Sequence, residues 1–205
     1  ITNFVNLLDN IMVGQVGTIP MSGVSIVNGV LFVFNLCIFG AASGAGIFTA
    51  QFKGREDHEG IRHTFRFKYQ VCTILSLVGV AIFLLGGEVL IGLYLTGEGS
   101  PQLVADTLAA GREYLFMMLI GLIPFAINSA YSSTLRETGQ AVVPMVAGIV
   151  AVFLNLLLNW LLIFGHCGLP ALGVVGAAIA TVISRYVEIV IIIVTVHRHK
   201  ERYPF

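Results

Sequence analysis

Six long apolar segments, separated by short turns rich in glycine, proline or charge, constrain the fold of this chain more than any other feature. They cover approximately residues 1–15, 21–51, 68–95, 103–134, 141–164 and 172–196. A helix that crosses the hydrocarbon core of a bilayer needs about 20 apolar residues. Only 11% of the residues are charged, whereas a soluble domain carries about 25%. The sequence therefore predicts an all-α, polytopic membrane protein with six transmembrane helices.

The first apolar segment is too short to cross a membrane. It begins with Ile1 rather than Met and ends near Val13, whereas about 20 residues are needed. We interpret residues 1–205 as a fragment whose first helix is truncated.

Composition excludes several classes of function. The net charge is zero and no basic run is interleaved with aromatic residues, so we expect no nucleic-acid partner. Cys37, Cys72 and Cys167 are isolated from one another and from metal-ligand spacing, which indicates packing residues and neither a metal site nor a bound cofactor. An intramembrane enzyme would need a nucleophile–base pair or a metal set at membrane depth. The sequence offers neither, and we expect no enzymatic activity.

The basic residues indicate the orientation of the helices. Nine of the eleven Lys and Arg residues fall on one side of the predicted membrane: Lys53, Arg55, Arg62, Arg66, Lys68, Arg136, Arg198, Lys200 and Arg202. Cytoplasmic loops carry such an excess. We therefore expect a multi-pass protein of the cell membrane, in contact with lipid, with these loops in the cytoplasm and the first helix running outward.

Asp9 is the residue that most strongly indicates a function. It lies in the apolar first segment, and a charge at membrane depth costs at least about 2.5–3.5 kcal/mol on insertion scales. Such a carboxylate usually faces a cavity or a partner. The alternative is that Asp9 lies near a helix end and reaches the interface.

Several polar residues share the predicted depth of Asp9. Asp9 and Asn159 each precede an outer turn by five or six residues, which places both about 8 Å below the outer surface. Asn155 lies one turn deeper on the face of Asn159. The second and sixth helices run inward and contribute Ser25, Asn28 and Thr181 at similar depth. This layer predicts a proton or cation site; the alternative, strongest for Thr181 and Ser25 alone, is interhelical hydrogen bonding.

Other polar and small residues carry weaker predictions. We also expect Ser25 and Asn28 to line the substrate cavity. Asn35 and Asn128 lie deeper, where they line this cavity or pack between helices. Arg185 and Glu188, three residues apart on one helix, are expected to neutralise each other. The glycine-rich stretches 40–46 and 173–178 predict close helix packing.

At these residues the chain resembles the multidrug and toxic compound extrusion transporters. The resemblance spans essentially the whole chain, and the order and spacing of its segments are more specific than any one of them. The matching segments are DNIMVG at 9–14, residues 40–44 and 50–54 around the end of the second helix, LNLLLNW at 154–160 and GVVGAAIAT at 173–181.

The resemblance implies one six-helix lobe, the N-terminal one, of a twelve-helix, two-lobe transporter whose C-terminal lobe is absent from residues 1–205. It implies export of organic cations and drugs against an inward flux of protons or sodium ions. Asp9 is the implied coupling residue, and Asn155 and Asn159 are its implied partners. Some family members carry a second aspartate where Asn159 stands, so the coupling ion stays open. The wider superfamily includes flippases for lipid-linked oligosaccharides, our alternative; Arg112 and Arg185, the two basic residues outside the cytoplasmic set, are few for binding a pyrophosphate.

Overall fold

The described part of the structure consists of helices joined by short turns. The computed structural model describes residues 10–95, 100–168, 170–199 and 203. Its helices are α1 (Thr18–Gly54), α2 (His58–Tyr94), α3 (Pro101–Ile120), α4 (Leu122–Glu137), α5 (Val142–Phe164) and α6 (Gly173–Arg198), with a short 3-10 turn at His166–Gly168. Residues 10–14 are helical as well. The all-α prediction is confirmed.

Four of these helices, α1, α2, α5 and α6, are each long and apolar enough to cross a membrane. The pair α3 and α4 passes the same test together and provides a fifth crossing. These five correspond to the second to sixth apolar segments, so the prediction of a polytopic membrane protein is confirmed. Most of the first segment, with Asp9, lies outside the described residues.

Helix α2 begins ten residues earlier than the sequence predicts. The side chain of Asp57 accepts a hydrogen bond of 2.9 Å from the Gly60 amide, which caps the helix. The residues that follow are amphipathic, because Ile61, Thr64 and Lys68 are buried on one face while the basic residues between them stay exposed. The stretch expected to be a polar loop is therefore the first part of the helix.

The fourth apolar segment is broken, although the sequence predicts one continuous helix. Helices α3 and α4 meet at Gly121 with a bend of 47°. Pro124, one turn further, has no amide hydrogen and cannot continue the hydrogen-bond ladder. A proline of this kind is the usual cause of a sharp kink.

Close helix contacts occur at several glycines. Some of the glycines predicted to make such contacts do not make them. A β-carbon on Gly176 would lie 2.7 Å from the Leu162 carbonyl oxygen, and one on Gly23 would lie 2.8 Å from the Gly111 amide. Gly40 and Gly44 have no neighbouring atom within 4 Å, so that part of the packing prediction is wrong. Helices α5 and α6 therefore form a tight hairpin around Gly176.

Two apolar clusters hold the helices together. The larger is built mainly from α1, α3 and the start of α4, and it includes Val27, Ile38 and Leu122. The smaller joins the start of α2 to the ends of α4 and α6, through Phe65, Leu135 and Val196. The described basic residues at the start of α2, at the end of α4 and at the end of α6 consequently lie at one end of the lobe, which we call the basic end.

Candidate functional site

Asn155 and Asn159, both buried, and the half-buried Thr181 form a polar group that we call the outer cluster. The Asn155 amide nitrogen donates to the Thr181 hydroxyl over 3.3 Å, and the Asn159 amide nitrogen donates to the Asn155 side-chain oxygen over 3.2 Å. Asn155 is 3% exposed and Asn159 is fully buried. The structure thus brings together three of the four residues that the sequence assigns to ion coupling. The fourth, Asp9, lies outside the described residues.

The local fold explains why these three side chains meet. Asn155 and Asn159 lie one turn apart on one face of α5. The contact of Gly176 with the backbone at Leu162 draws α6 against α5, and Ala177, Ala178 and Ala180 are buried along the same helix. Small side chains at this crossing leave room for the asparagine amides.

The outer cluster has the chemistry of a site for a small hard cation or a proton network. It presents amide and hydroxyl oxygens, the ligand type that hard cations take, but no charge of its own among the described residues. In the same part of the chain, no group of three or more His, Cys, Asp or Glu side chains is arranged to hold a metal ion.

The four residues expected to line a cavity lie outside the outer cluster. Asn28 is exposed on the lobe surface and accepts a hydrogen bond of 3.3 Å from the Tyr114 hydroxyl of α3. Ser25 is also exposed and lines a groove of about 440 Å³ between α1, α2 and α3. Among the described residues no hydrogen bond joins either side chain to the outer cluster. They share its predicted depth, but they point in another direction.

The two deeper asparagines differ from each other. The side-chain oxygen of Asn35 is buried and has no hydrogen-bond partner among the described residues. The side-chain oxygen of Asn128 accepts from Ser132 over 3.0 Å, and its amide lies beside the Glu188 carboxylate. Asn128 therefore belongs to a polar contact between α4 and α6.

A buried ion pair at the basic end escaped the sequence analysis. Lys68 forms an ion pair with Glu137 and lies 3.4 Å from the hydroxyl oxygens of Ser133 and Thr134. The Lys68 side chain is fully buried and that of Glu137 is 19% exposed. The Glu137 carboxylate packs against Gly46 of α1, and a β-carbon at that position would collide with it. The pair thus ties α2 and α4 together against α1.

Arg185 and Glu188 interact electrostatically, as the sequence predicts, but they form no direct ion pair in the described part of the chain. The Arg185 guanidinium donates to the Gly121 carbonyl over 3.3 Å and lies 5.1 Å from the centre of the Phe125 ring. In the described part of the chain, the ion pairs are Lys68–Glu137 and Arg112–Glu88. The arginine donates its hydrogen bond to the broken fourth segment rather than to its helical neighbour.

Comparison with known proteins identifies the family of this chain. The family model described as MatE matches residues 1–161. The chain belongs to the MatE family. The resemblance seen in the sequence is therefore confirmed, and the match includes residues 155 and 159 of the outer cluster.

Curated relatives of this MatE chain include probable multidrug resistance proteins NorM. The protein from Thermotoga maritima is 29% identical over 195 residues, which are 95% of this chain and 40% of the relative. The protein from Agrobacterium fabrum is 27% identical over 199 residues, or 96% and 41% of the two chains. The chain thus spans about two fifths of the length of these relatives.

Solved structures show the same fold. An outward-facing multidrug resistance MATE family transporter of the MOP superfamily superposes with a TM-score of 0.86 at 23% identity, covering 98% of this chain and 42% of that one. An inward-facing structure of such a transporter gives a TM-score of 0.83 at 23% identity, covering 96% and 42%. At this identity the likeness concerns the fold.

Proposed function

We propose that the full-length protein is an ion-coupled antiporter that exports organic cations and drugs across the cytoplasmic membrane. The outer cluster is the observation that carries the proposal, since three neutral oxygen-bearing side chains converge between α5 and α6. The names of the NorM relatives support drugs as the substrate class.

In this proposal each polar residue has a distinct role. Asp9 supplies the ionisable charge, and Asn155, Asn159 and Thr181 supply oxygen ligands to a proton-carrying group or a sodium ion. Asn35 and Asn128 line the substrate path in the inner half, with Ser25 and Asn28 at its outer end. A second six-helix lobe of the same chain completes the path, and the basic end faces the cytoplasm.

The contacts of the two remaining arginines favour an antiporter over a flippase for lipid-linked oligosaccharides. A flippase needs cationic side chains that can reach a pyrophosphate. Arg112 pairs with Glu88 over 2.9 Å, and Arg185 is held by the Gly121 carbonyl and the Phe125 ring. Arg185 is thus engaged within the lobe, and the exposed Arg112 is paired with a carboxylate.

The decisive experiment is replacement of Asp9 in the full-length transporter, reconstituted in vesicles. Asp9→Asn should abolish ion-driven export of a fluorescent organic cation, because asparagine keeps the shape but cannot titrate. Asp106→Asn is the matched control, since Asp106 is an exposed carboxylate at the opposite end of α3 from the bend; it should export like the wild type. Wild-type export by Asp9→Asn would contradict the proposal.

The same vesicles distinguish the two ions. A proton-coupled protein takes up protons during export without sodium. A sodium-coupled protein loses activity when sodium is removed at constant pH. Asn159→Ala should weaken either coupling less than Asp9→Asn, because it removes an oxygen ligand and no charge.

A further inference from the structure

The bend between α3 and α4 leaves a backbone carbonyl without its helical donor. Pro124 has no amide hydrogen, so the Ile120 carbonyl, four residues earlier, cannot be satisfied within the helix. The Gly121 amide donates a hydrogen bond to the Met118 carbonyl over 3.0 Å, and this bond tightens the last turn of α3. In the apolar part of a membrane an unsatisfied carbonyl is costly, and a neighbouring helix is one source of the missing donor.

Two consecutive residues of α6 supply donors to the bend. The Tyr186 hydroxyl donates to the Ile120 carbonyl over 3.4 Å. The Arg185 guanidinium donates over 3.3 Å to the next carbonyl, that of Gly121, which also accepts from the Phe125 amide over 3.2 Å. We call Arg185 and Tyr186 the clasp.

The arginine of the clasp fits its site closely. A β-carbon on Gly121 would lie 3.4 Å from the guanidinium nitrogen and 3.1 Å from Val182, so glycine gives the side chain access to the backbone. Beyond the proline, the Phe125 ring lies 5.1 Å from the guanidinium carbon, a distance at which a ring attracts a cation. An arginine in a membrane segment is expensive and usually functional; here the half-buried Arg185 contacts the bend and also lies within electrostatic range of Glu188.

The clasp lies on the same face of α6 as the outer cluster. Thr181 precedes Arg185 by four residues, so the two side chains stand one turn apart on one face. On the other side of the bend, Asn128 follows Pro124 by four residues and reaches the Glu188 carboxylate of α6. Helix α6 therefore contacts the coupling residues, the bend and α4 along a single face.

We propose that Arg185 and Tyr186 are positioning residues for transport, which hold the bend of the fourth segment and thereby fix the direction of α4 and the place of Asn128. The bend is argued from the structure alone, and the consequence for transport rests on the proposed function. Neither residue touches the transported ion in this proposal.

The bend can be measured in the full-length protein by electron-spin distance measurement. Spin labels at Gln102 and Arg136, both exposed, would stand near the two ends of the bent segment in a cysteine-free background. With a rise of 1.5 Å per residue, a 47° bend places the two backbone positions about 47 Å apart, and a straight helix would place them about 51 Å apart. Arg185→Leu and Tyr186→Phe should lengthen or broaden this distance toward the straight value.

Control substitutions distinguish loss of the clasp contacts from a general loss of structure. Arg112→Leu removes an exposed arginine of α3 and should leave the distance unchanged. Arg185→Lys keeps a cationic donor and should retain most of the bend. Tyr186→Phe keeps the aromatic ring and removes only the hydroxyl. If Arg185→Leu does not fold, Tyr186→Phe still tests the proposal. Pro124→Ala restores the amide that the Ile120 carbonyl lacks; it should straighten the segment, and adding Tyr186→Phe should then change nothing further.

Transport kinetics provide the functional readout. In vesicles, Arg185→Leu should lower the turnover number by about tenfold while KM for the exported cation stays within about twofold, because a conformational step and not substrate binding is affected. An unchanged distance in both Arg185→Leu and Tyr186→Phe would overturn the proposal whatever the flux. A changed distance with wild-type turnover would overturn the role in transport. Absence of ion-driven flux in the wild type would contradict the proposed function, and the distance would still decide whether the clasp holds the bend.

Discussion

The outer cluster and the Lys68–Glu137 pair both join helices of the lobe through buried polar side chains. In the outer cluster all three described groups are neutral and share hydrogen bonds between α5 and α6. At the basic end, a fully buried ammonium is already matched by a carboxylate and two hydroxyl groups. The carboxylate already balances the ammonium at the basic end, whereas the described groups of the outer cluster carry no charge. Under the proposed function, the outer cluster is a binding site and the Lys68–Glu137 pair is a joint between helices.

The two sites should also differ in what it costs to disrupt them. Interhelical hydrogen bonds between neutral groups in membrane proteins average about 0.6 kcal/mol, with a maximum of about 1.7 kcal/mol. Removing one member of a buried ion pair costs about 3–5 kcal/mol, because the other charge is left uncompensated. Substitutions at the basic end should therefore affect stability more than those in the outer cluster.

Glu137→Ala should have the largest effect on stability, a loss of about 3–5 kcal/mol, because it leaves the fully buried Lys68 without a countercharge. Lys68→Met should cost less, since Glu137 is partly exposed and its carboxylate can turn to water. Unfolding in mixed detergent micelles measures both. Glu88→Ala is the control, since it breaks the exposed pair with Arg112 and should cost at most about 1 kcal/mol. Equal losses for Glu137→Ala and Glu88→Ala would remove the distinction between the two sites.

Asn155→Ala should lower stability by a smaller amount, about 1–2 kcal/mol, because it removes both hydrogen bonds of the outer cluster. The same unfolding measurement applies. A loss as large as that of Glu137→Ala would mean that the outer cluster is a structural joint rather than a binding site.

Thr181→Val should cost about 0.6 kcal/mol, since it removes one of these bonds and keeps the shape of the side chain. Its effect should appear instead in the ion dependence of export, as a higher proton or sodium concentration needed for half-maximal rate. An unchanged ion dependence would show that the hydroxyl is not a ligand.

Cysteine at Glu59 should leave stability unaltered, because Glu59 is exposed near the tip between α1 and α2. It should react with a membrane-impermeant reagent only from the cytoplasm, and cysteine at Asp106 only from outside. The reverse pattern would invert the lobe and place the outer cluster in the cytoplasmic half.

The sequence predicts part of each site, for identifiable physical reasons. Asn155, Asn159 and Thr181 were predicted together because helical periodicity and the short turn between α5 and α6 fix both depth and direction. For Ser25 and Asn28 the sequence predicts only the depth in the membrane. Depth does not determine the direction in which a side chain points. Lys68 was counted with a basic loop, since its partner lies 69 positions later and such a long-range contact leaves no local pattern.

The bend between α3 and α4 has a local sequence signal, a proline, but the apolar residues around it favour a continuous helix. Pro124 lies within the fourth apolar segment, which the sequence therefore predicts as unbroken. The donors that contact the break lie more than 60 positions away: Tyr186 bonds the carbonyl left without a helical donor, and Arg185 bonds the next one. A proline thus indicates where a membrane helix can break, and only the neighbouring helix shows how that break is satisfied.

The length of α1 and α2 has a practical consequence. Each helix has 37 residues and is therefore about 55 Å long, against a hydrocarbon core of about 30 Å. The turn at residues 55–57 joins the end of α1 to the start of α2, so under the proposed orientation it lies well outside the hydrocarbon core on the cytoplasmic side. A rigid reporter domain inserted at this turn would stand clear of the bilayer, and its orientation would register any tilting of the two helices during transport.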